Sequence, residues 1–505
     1  MAAPARHQPA RSTPSAGLLR KLAGAARNGQ SGCLCAARRR RAPYRLIPSA
    51  KPVDGRYSIA RSSAVLRVSE IGHVCGRKAG WLVVTDAKRA STALWRHRDF
   101  LLLWGGQTVS QAGSQVTVLA LPLVAIVILH ATTFQVGLLS AAVTSAYLLF
   151  ALPAGMLADR VSKRRLMLWC DAAGLLVIGS VPVAEAAGVL TLGQLYLVAL
   201  ASGVVSVFFL VACASYLPTL IDPDQLADGN GKLATTQAAA QIAGPGLGAV
   251  LVGLFGAALA MTSDALSFAV SAGCLLAIRG REPRIIRTGG ERQSRLRSQV
   301  GEGLTYILRE PILRRAVAWN GTANFFVIMV ETIGPVFLIR AIHLRPAYVG
   351  ALLALGATGG VAAGLASRPL TRRIGSARLS WLSISVFTLP GLLIPMARPG
   401  WGVGLFAVGW MSWTFGSTLC AIALTSYQQA TCPARLRGRV SAASRWVNWG
   451  TLPLGGLAGG ALGAVLGAHT TLWVAVIGGC SSGLWLYLSP LRRIRDLPTG
   501  GLQPA

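Results

Sequence analysis

Between Phe100 and Ser489 the chain is a succession of about a dozen apolar stretches, most of them 20 residues or longer. Each stretch is bounded by Gly, Pro or Arg. A run of 18 or more apolar residues with few charges is typical of a membrane span, because only a bilayer or a very large core can hide it from water. The pattern therefore predicts a polytopic membrane protein.

The composition favours helical spans. Strands of a membrane barrel would be stretches of about ten residues with alternating polarity, whereas these segments are long and apolar on all faces. Only 13% of the 505 residues are charged, about half of the roughly 25% that soluble domains carry. The net charge of +32 is explained by basic loops on one side of the membrane and a basic tail. The sequence predicts an all-α membrane protein that does not bind nucleic acid.

Twelve spans account for the apolar stretches, and the loops between them alternate in charge. Arg and Lys concentrate in every second loop, beginning with the segment before span 1. Because basic residues accumulate on the cytoplasmic side, both termini are predicted to be cytoplasmic, with the protein in the cell membrane. The predicted spans are residues 100–129, 135–157, 166–186, 193–218, 235–256, 258–278, 313–339, 347–369, 377–397, 401–429, 440–466 and 470–489.

The longest loop between spans, from Arg279 to about Pro311, divides them into two sets of six. This division predicts a duplicated unit with two pseudo-symmetric six-helix halves. Residues 299–310 predict a short helix along the membrane surface. Membrane proteins of this kind usually begin a short way before their first span, and a start near Val84 would fit that pattern. Whether residues 1–83 belong to the native protein therefore stays open. The predicted domains are a disordered basic tail (1–95), a first half (96–280), a cytoplasmic linker (281–312), a second half (313–490) and a C-terminal tail (491–505).

A short acidic and basic motif follows span 2. Gly155 lets two helices approach closely, and Asp159 at the membrane face needs a basic partner, which Arg164 or Arg165 can supply. Such an ion pair can hold one conformation and release in another. Gly155, Asp159, Arg160, Arg164 and Arg165 are therefore the predicted conformational latch. The alternative is a plain basic stop after the span.

This segment, Gly155-Met-Leu-Ala-Asp-Arg-Val-Ser-Lys-Arg-Arg165, resembles the signature loop of the major facilitator superfamily. A counterpart that lacks the Asp runs from Gly364 to Gly375, at the matching place in the second half. The resemblance covers about residues 96–495. It implies the twelve-helix fold of that superfamily, secondary transport, and a cavity bordered by spans 1, 4, 7 and 10.

In span 5, Gln241-Ile-Ala-Gly-Pro-Gly-Leu-Gly248 is similar to the Gly-Pro motif of the superfamily's antiporters. Pro245 removes a backbone donor and kinks the helix. Gly244 and Gly248 permit close packing around that kink. The alternative is ordinary span packing, since Gly and Pro are common in membrane helices.

Other segments resemble the branch of the superfamily that includes macrolide efflux pumps and enterobactin-type siderophore exporters. These segments are Arg98 to Ser114, Tyr216 to Asn230, Ser263 to Phe268, and Arg435 to Ser441. The resemblance implies export of a drug, macrolide or siderophore type of molecule. One departure is Gly174, where such exporters often carry an Arg.

Ionisable side chains within spans are costly unless they are paired or hydrated, so they are candidates for function. Glu331, about 19 residues into span 7, is the deepest by sequence, and Asp264 lies near the outer third of span 6. Both are predicted proton-coupling residues. The alternatives are a water-facing span end for Glu331 and a structural role for Asp264. Candidate cavity residues are Gln107, Gln111, Asn320, Asn324, Trp410 and Trp413, unless the Trp side chains face lipid.

The predicted function is proton-coupled efflux of a hydrophobic or amphiphilic small molecule, by a monomer in the lipid bilayer. An importer or facilitator with the same fold and a non-transporting membrane scaffold are the alternatives. No metal site or cofactor is predicted, because no phosphate-binding loop is present and Cys33 and Cys35 lack zinc-site spacing. No catalytic constellation is visible, so an enzyme is not predicted.

Overall fold

The computed structural model describes residues 94–280, 292–433 and 436–497. The predicted basic tail, except for its last two residues, lies outside these ranges, as do the first part of the linker and the end of the C-terminal tail. Within the described ranges the regular structure is entirely helical, as predicted. The described residues therefore include the two halves and the helix of the linker.

The first half consists of six helices, and side-chain capping marks the starts of the first four. Thr132 and Gln135 form a reciprocal capping box before span 2, and the side chains of Ser162 and Thr191 cap spans 3 and 4. Span 1 ends in a wider π-helical turn, Val124–Ile128. The helices of spans 1 to 6 are Arg98–Leu123, Thr133–Arg160, Lys163–Ala186, Leu192–Leu220, Leu226–Phe255 and Ala257–Ala277.

The second half begins after the linker helix, Arg292–Arg309, which includes most of the predicted surface helix. Glu310 caps span 7 by accepting a hydrogen bond from the backbone N–H of Leu313. The continuous helices of spans 7, 8, 10 and 11 are Pro311–Arg340, Pro346–Ile374, Gly404–Thr431 and Arg437–Leu466. Spans 9 and 12 are each interrupted, as Ser376–Phe387 with Leu389–Leu393 and as Ala468–Ser481 with Leu484–Tyr487.

Ten helices in the described ranges are long and apolar enough to cross a membrane, and the interrupted spans 9 and 12 complete the predicted twelve. In span 9 the break follows Thr388, whose hydroxyl donates to the carbonyl oxygen of Ile384. Pro390 then lacks the N–H that an α-helix would use. The chain continues as a tighter 3₁₀ turn, Leu389–Leu393. The two halves therefore have the same number of spans but differ in the regularity of their last helices.

Contacts between helix ends show that successive spans alternate in direction. On one side, Asp99 at the start of span 1 accepts from the backbone N–H of Gly280 after span 6, at 2.9 Å. The linker helix lies on this side too, because Glu302 pairs with Arg439 at the start of span 11. On the other side, Arg340 at the end of span 7 donates to the carbonyl oxygen of Ala131, which follows span 1. We call these sides the linker face and the far face.

Candidate functional site

The two halves touch along spans 2 and 11, in the part of each helix nearest the far face. A Cβ atom placed on Gly137 would lie 2.5 Å from the Cα of Gly460, so the two backbones are in direct contact. Half-way along, the rings of Tyr147 and Trp449 stack edge to face, with centroids 5.3 Å apart. Small residues thus hold spans 2 and 11 together from the far face to the middle of the membrane.

Spans 5 and 8 make the second contact between the halves, also near the far face. A Cβ placed on Gly253 would lie 3.1 Å from the Cβ of Ala347. One placed on Gly350 would lie 2.8 Å from the carbonyl oxygen of Pro245. Together with the bond between Arg340 and Ala131, these contacts close the far face.

The close contacts described above between spans 2 and 11 and between spans 5 and 8 all lie between the far face and the middle of the membrane. Toward the linker face, a Cβ atom placed on Gly155, Gly231, Gly364 or Gly438 of these four spans would find no neighbouring atom within 4 Å. We infer from this difference a central cavity between the halves that is closed at the far face and open at the linker face.

Glu331 lies at the closed end of this cavity. Between residues 315 and 339 of span 7, Glu331 is the one exposed side chain, and residues 332–338 beyond it are all buried. Glu331 makes no hydrogen bond or ion pair with any described residue. Next to it, the hydroxyl of Thr332 donates to that of Ser140 on span 2, at 3.0 Å, across the two halves. A carboxyl group without a partner thus faces open space where the halves meet.

Two amides share the face of span 7 that carries Glu331. Asn320, Asn324 and Glu331 are four and seven residues apart, so their side chains point in nearly the same direction. The amide nitrogen of Asn324 donates to the side-chain oxygen of Asn320 at 3.0 Å. Flanking glycines orient this face: Gly321 approaches Thr451 of span 11. Gly334 approaches Phe406 of span 10. The polar face therefore points between spans 10 and 11, into the cavity.

Asp264 is a carboxyl group within span 6, as Glu331 is within span 7, but its environment is different. Only 1% of Asp264 is exposed. Its two carboxylate oxygens accept hydrogen bonds from the hydroxyls of Thr117 at 2.5 Å, Ser267 at 3.2 Å and Ser114 at 3.4 Å. A Cβ on Gly113 would lie 2.9 Å from Asp264, so span 1 covers the carboxyl group. Asp264 thus joins spans 1 and 6 and does not face the cavity.

The residues of the predicted latch are only partly described. The side chain of Asp159 lies outside the described set, so its ion pair stays a prediction. Arg164 donates to the carbonyl oxygens of Leu275 and Leu276, at 2.8 and 3.0 Å, and thereby caps the end of span 6. Arg160 and Arg165 are exposed at the linker face.

The Gly-Pro segment of span 5 lies where three spans meet. A Cβ on Gly244 would collide with Gln115 of span 1. One on Gly248 would lie 3.1 Å from Leu119 of the same span. The carbonyl oxygen of Pro245 faces span 8 of the other half, as described above. The segment therefore packs span 5 against span 1 and against the opposite half at once.

Two of the predicted cavity residues, Trp410 and Trp413, are buried in contacts between spans. Trp410 and Trp413 are 6% and 2% exposed; their rings fill the space over Gly356 of span 8 and over Gly391 and Gly479 of spans 9 and 12. Gln107 of span 1 is 8% exposed, and Gln111 of the same span is partly exposed. Their place on the cavity wall stays a prediction, whereas the two Trp rings pack between spans of the second half.

Two further charged side chains lie within spans, Arg445 of span 11 and Asp171 of span 3. Arg445 is exposed on span 11, on the turn that precedes Asn448 and Trp449, and makes no hydrogen bond or ion pair with described residues. Asp171 of span 3 is 1% exposed, and neither of its carboxylate oxygens has a hydrogen-bond partner in the described ranges. The ring of Phe268 occupies the space beside Gly174, 2.9 Å from the position of a Cβ. The signal for both residues was their charge within an apolar stretch.

Comparison with known proteins supplies the family. The model of the Major Facilitator Superfamily matches residues 103–449. An uncharacterized MFS-type transporter, YfiS of Bacillus subtilis (strain 168), is 27% identical over 402 residues, which are 77% of this chain and 91% of that protein.

Solved structures share the fold. A mutant of the nucleoside transporter NupG matches with a TM-score of 0.63 at 13% identity, over 77% of this chain and 99% of the other. A bacterial homologue of the iron transporter ferroportin, in an inward-facing state, matches with a TM-score of 0.62 at 16% identity, over 78% and 98% of the two chains. With its twelve spans in two halves around a central cavity, the chain belongs to the Major Facilitator Superfamily and is a multi-pass membrane transporter.

Proposed function

We propose that this transporter exports an amphiphilic small molecule in exchange for protons, and that Glu331 carries the proton. The observation that supports this proposal most strongly is the position of Glu331, a carboxyl group without a partner at the closed end of the cavity. A charged carboxylate inside a membrane protein is costly unless it is paired or hydrated. Protonation removes that cost, so occupancy by a proton can be linked to the conformation of the protein.

The transport cycle follows from the arrangement of the halves. In the described conformation the cavity opens at the linker face, where cargo enters and Glu331 releases its proton. Rocking of the halves would part the contact of Gly137 with Gly460 and bring the linker-face ends together. The cavity would then open at the far face, where Glu331 would take up a proton and the cargo would leave.

Orientation in the membrane is part of the proposal. Arg96, Arg98, Arg160, Arg164 and Arg165 belong to segments at the linker face, and such segments are cytoplasmic in most membrane proteins. With the linker face in the cytoplasm of a cell with an inward proton gradient, the cycle moves cargo outward. We propose that the protein acts as a monomer in the cell membrane with both termini in the cytoplasm.

The motifs at spans 2 and 5 have separate roles in this proposal. When the halves close at the linker face, Asp159 and the nearby arginines would approach the second half and hold that state. Gly244, Pro245 and Gly248 provide a tight contact that excludes water between spans 1, 5 and 8. The resemblance to drug and siderophore exporters supports the outward direction and an organic cargo.

Transport by membrane vesicles tests the proposal. Everted vesicles, which expose the cytoplasmic side, would receive ethidium, erythromycin or a catecholate siderophore under an imposed pH gradient. We expect uptake of at least one probe and a matching release of protons, both lost in Glu331→Gln. The control Glu185→Gln makes the same change at the far-face end of span 3 and should leave both unchanged. Uptake by Glu331→Gln with normal rate and pH dependence would contradict the assignment.

A further inference from the structure

A niche in the wall of the second half lies between spans 7, 10 and 11, in the part of the cavity nearer the linker face. Asn320 belongs to this niche and also to the polar face that carries Glu331. The niche is about 40 Å³ in volume, which is enough for a small polar group. Its polar lining residues are Trp319, Asn320, Thr425, Gln428, Ser444 and Asn448.

Three polar atoms of this lining have no hydrogen-bond partner in the described residues. They are the indole nitrogen of Trp319, the hydroxyl oxygen of Ser444 and the side-chain oxygen of Asn448. Trp319 is 3% exposed and Ser444 is 7% exposed. Buried polar groups are nearly always paired, and an unpaired one is costly. Three such atoms around one niche therefore point to a group that occupies it.

The chemistry of the lining restricts that group. The indole N–H of Trp319 can only donate, and the side-chain oxygen of Asn448 can only accept. The hydroxyl of Ser444 can do either. A carboxylate has no proton for Asn448, and an ammonium group has no lone pair for Trp319. No charged side chain lines the niche, so an ion would also be desolvated without a counter-charge.

We propose that the niche binds one uncharged group of the cargo that both donates and accepts hydrogen bonds, an alcohol or a primary carboxamide. This assignment rests on the proposed transport function and specifies its cargo. The niche is small beside the roughly 300–1,000 Å³ of a pocket for a whole ligand, so the rest of the molecule lies in the cavity. From Asn320 to Glu331 is 11 residues, or about 16 Å along a helix, which leaves room for an apolar body between the niche and the carboxyl group.

Binding of four dansyl probes tests the inference without any ion gradient. The probes are dansylglycinamide, its N,N-dimethylamide, dansylglycine and dansyl ethylenediamine, which present a carboxamide, a carbonyl without N–H, a carboxylate and an ammonium group. Fluorescence titration of the full chain in lipid nanodiscs measures each Kd. We expect dansylglycinamide to bind about five- to tenfold more tightly than the dimethylamide, since it alone satisfies both Trp319 and Asn448.

Two variants and one matched control assign the preference to the niche. Asn448→Leu should reduce the ratio of the two Kd values toward one. Trp319→Phe should instead raise both Kd values by a similar factor, because both probes carry the carbonyl oxygen that accepts from Trp319. Trp381→Phe removes another indole N–H without a hydrogen-bond partner, on span 9 and outside the niche, and should leave both Kd values unchanged. Because Trp319→Phe breaks no hydrogen bond, the variant should still fold, which size-exclusion chromatography checks.

The outcomes separate the inference from the proposed function. An unchanged ratio in Asn448→Leu, unchanged Kd values in Trp319→Phe, tighter binding of either charged probe, or no saturable binding of any probe would overturn the niche assignment. A preserved carboxamide preference with no proton-coupled uptake in vesicles would overturn the transport mechanism and leave the niche in place. Loss of the carboxamide preference with intact proton-coupled uptake would overturn the niche assignment and leave the transport mechanism in place.

Discussion

The two halves of the transporter each place a carboxyl group within a membrane span, and they treat it in opposite ways. In the first half, three hydroxyl groups surround Asp264 and bind spans 1 and 6 together. In the second half, Glu331 has no partner among the described residues and is exposed in the cavity. The same chemical group is thus part of the internal packing in one half and available to solvent in the other.

This difference teaches that an intramembrane charge is not by itself evidence of ion coupling. A carboxylate with several hydrogen-bond donors is stabilised in one place and contributes to rigidity. An exposed carboxylate without donors, such as Glu331, can instead exchange protons with the water that it contacts. The four predictions that follow test whether the two residues differ as their environments indicate.

The largest effect is expected for Glu331→Gln. Glutamine keeps the shape of the side chain but cannot ionise, so uphill efflux should fall to the level of passive leak. Exchange of cargo without a gradient should continue, because alternation of the halves does not need the charge. Counterflow in proteoliposomes measures the two activities side by side, and equal loss of both would argue for a structural role of Glu331.

Asp264→Asn should instead affect stability. The amide offers one acceptor oxygen where the carboxylate offers two, so at least one hydroxyl must turn from donor to acceptor or lose its partner, at a cost of up to about 1–3 kcal/mol. Transport by the surviving folded protein should keep its pH dependence. Thermal unfolding in detergent and vesicle uptake give the two readouts. A folded Asp264→Asn protein without pH dependence would show that both carboxyl groups couple protons.

A smaller loss is expected when one donor to Asp264 is removed. Thr117→Val deletes the hydroxyl but leaves Ser114 and Ser267, so the loss should be about 1–2 kcal/mol in thermal stability. Thr358→Val is the matched control, since the hydroxyl of Thr358 binds only the carbonyl oxygen of Leu355 on the surface of its own helix. Equal melting temperatures of the two variants would contradict the role assigned to the hydroxyl cluster.

The smallest effect belongs to a carboxyl group outside the membrane. Glu302 of the linker helix pairs with Arg439, and their side chains are 39% and 35% exposed. Water and salt screen such a pair, so Glu302→Gln should cost at most about 1 kcal/mol. Unfolding at low and high salt measures it, and a salt-independent loss larger than that of Thr117→Val would overturn this ranking of the three carboxyl groups.

Hydropathy predicted the spans well because each is a local property of about 20 residues. The break in span 9 was not predicted, although Pro390 marks it, because an apolar stretch does not show whether its helix is continuous. The environment of Asp264 could not be predicted for another reason: Ser114 and Thr117 lie 150 and 147 residues away in the chain. Contacts between residues so distant in sequence are known only from the folded structure.

The same limit explains the outcome for the cavity wall. Helical spacing places Asn320 and Asn324 on one face with Glu331, and their role in the cavity wall stays a prediction. The burial of Trp413 was not foreseen, because residue type does not reveal which face neighbouring helices cover. The unpaired atoms of Trp319 and Ser444 gave no sequence signal, since Trp and Ser are common in membrane helices for many reasons.

Cysteine accessibility tests the central contrast most directly. All nine native Cys would be replaced by Ser, and Glu331→Cys and Asp264→Cys introduced singly into vesicles of known orientation. An impermeant maleimide added at the linker face should label Glu331→Cys, whereas Asp264→Cys should stay unlabelled from either side while the protein is folded. Equal labelling at both positions, or labelling of Glu331→Cys from the far face alone, would contradict a cavity that opens at the linker face and ends at Glu331.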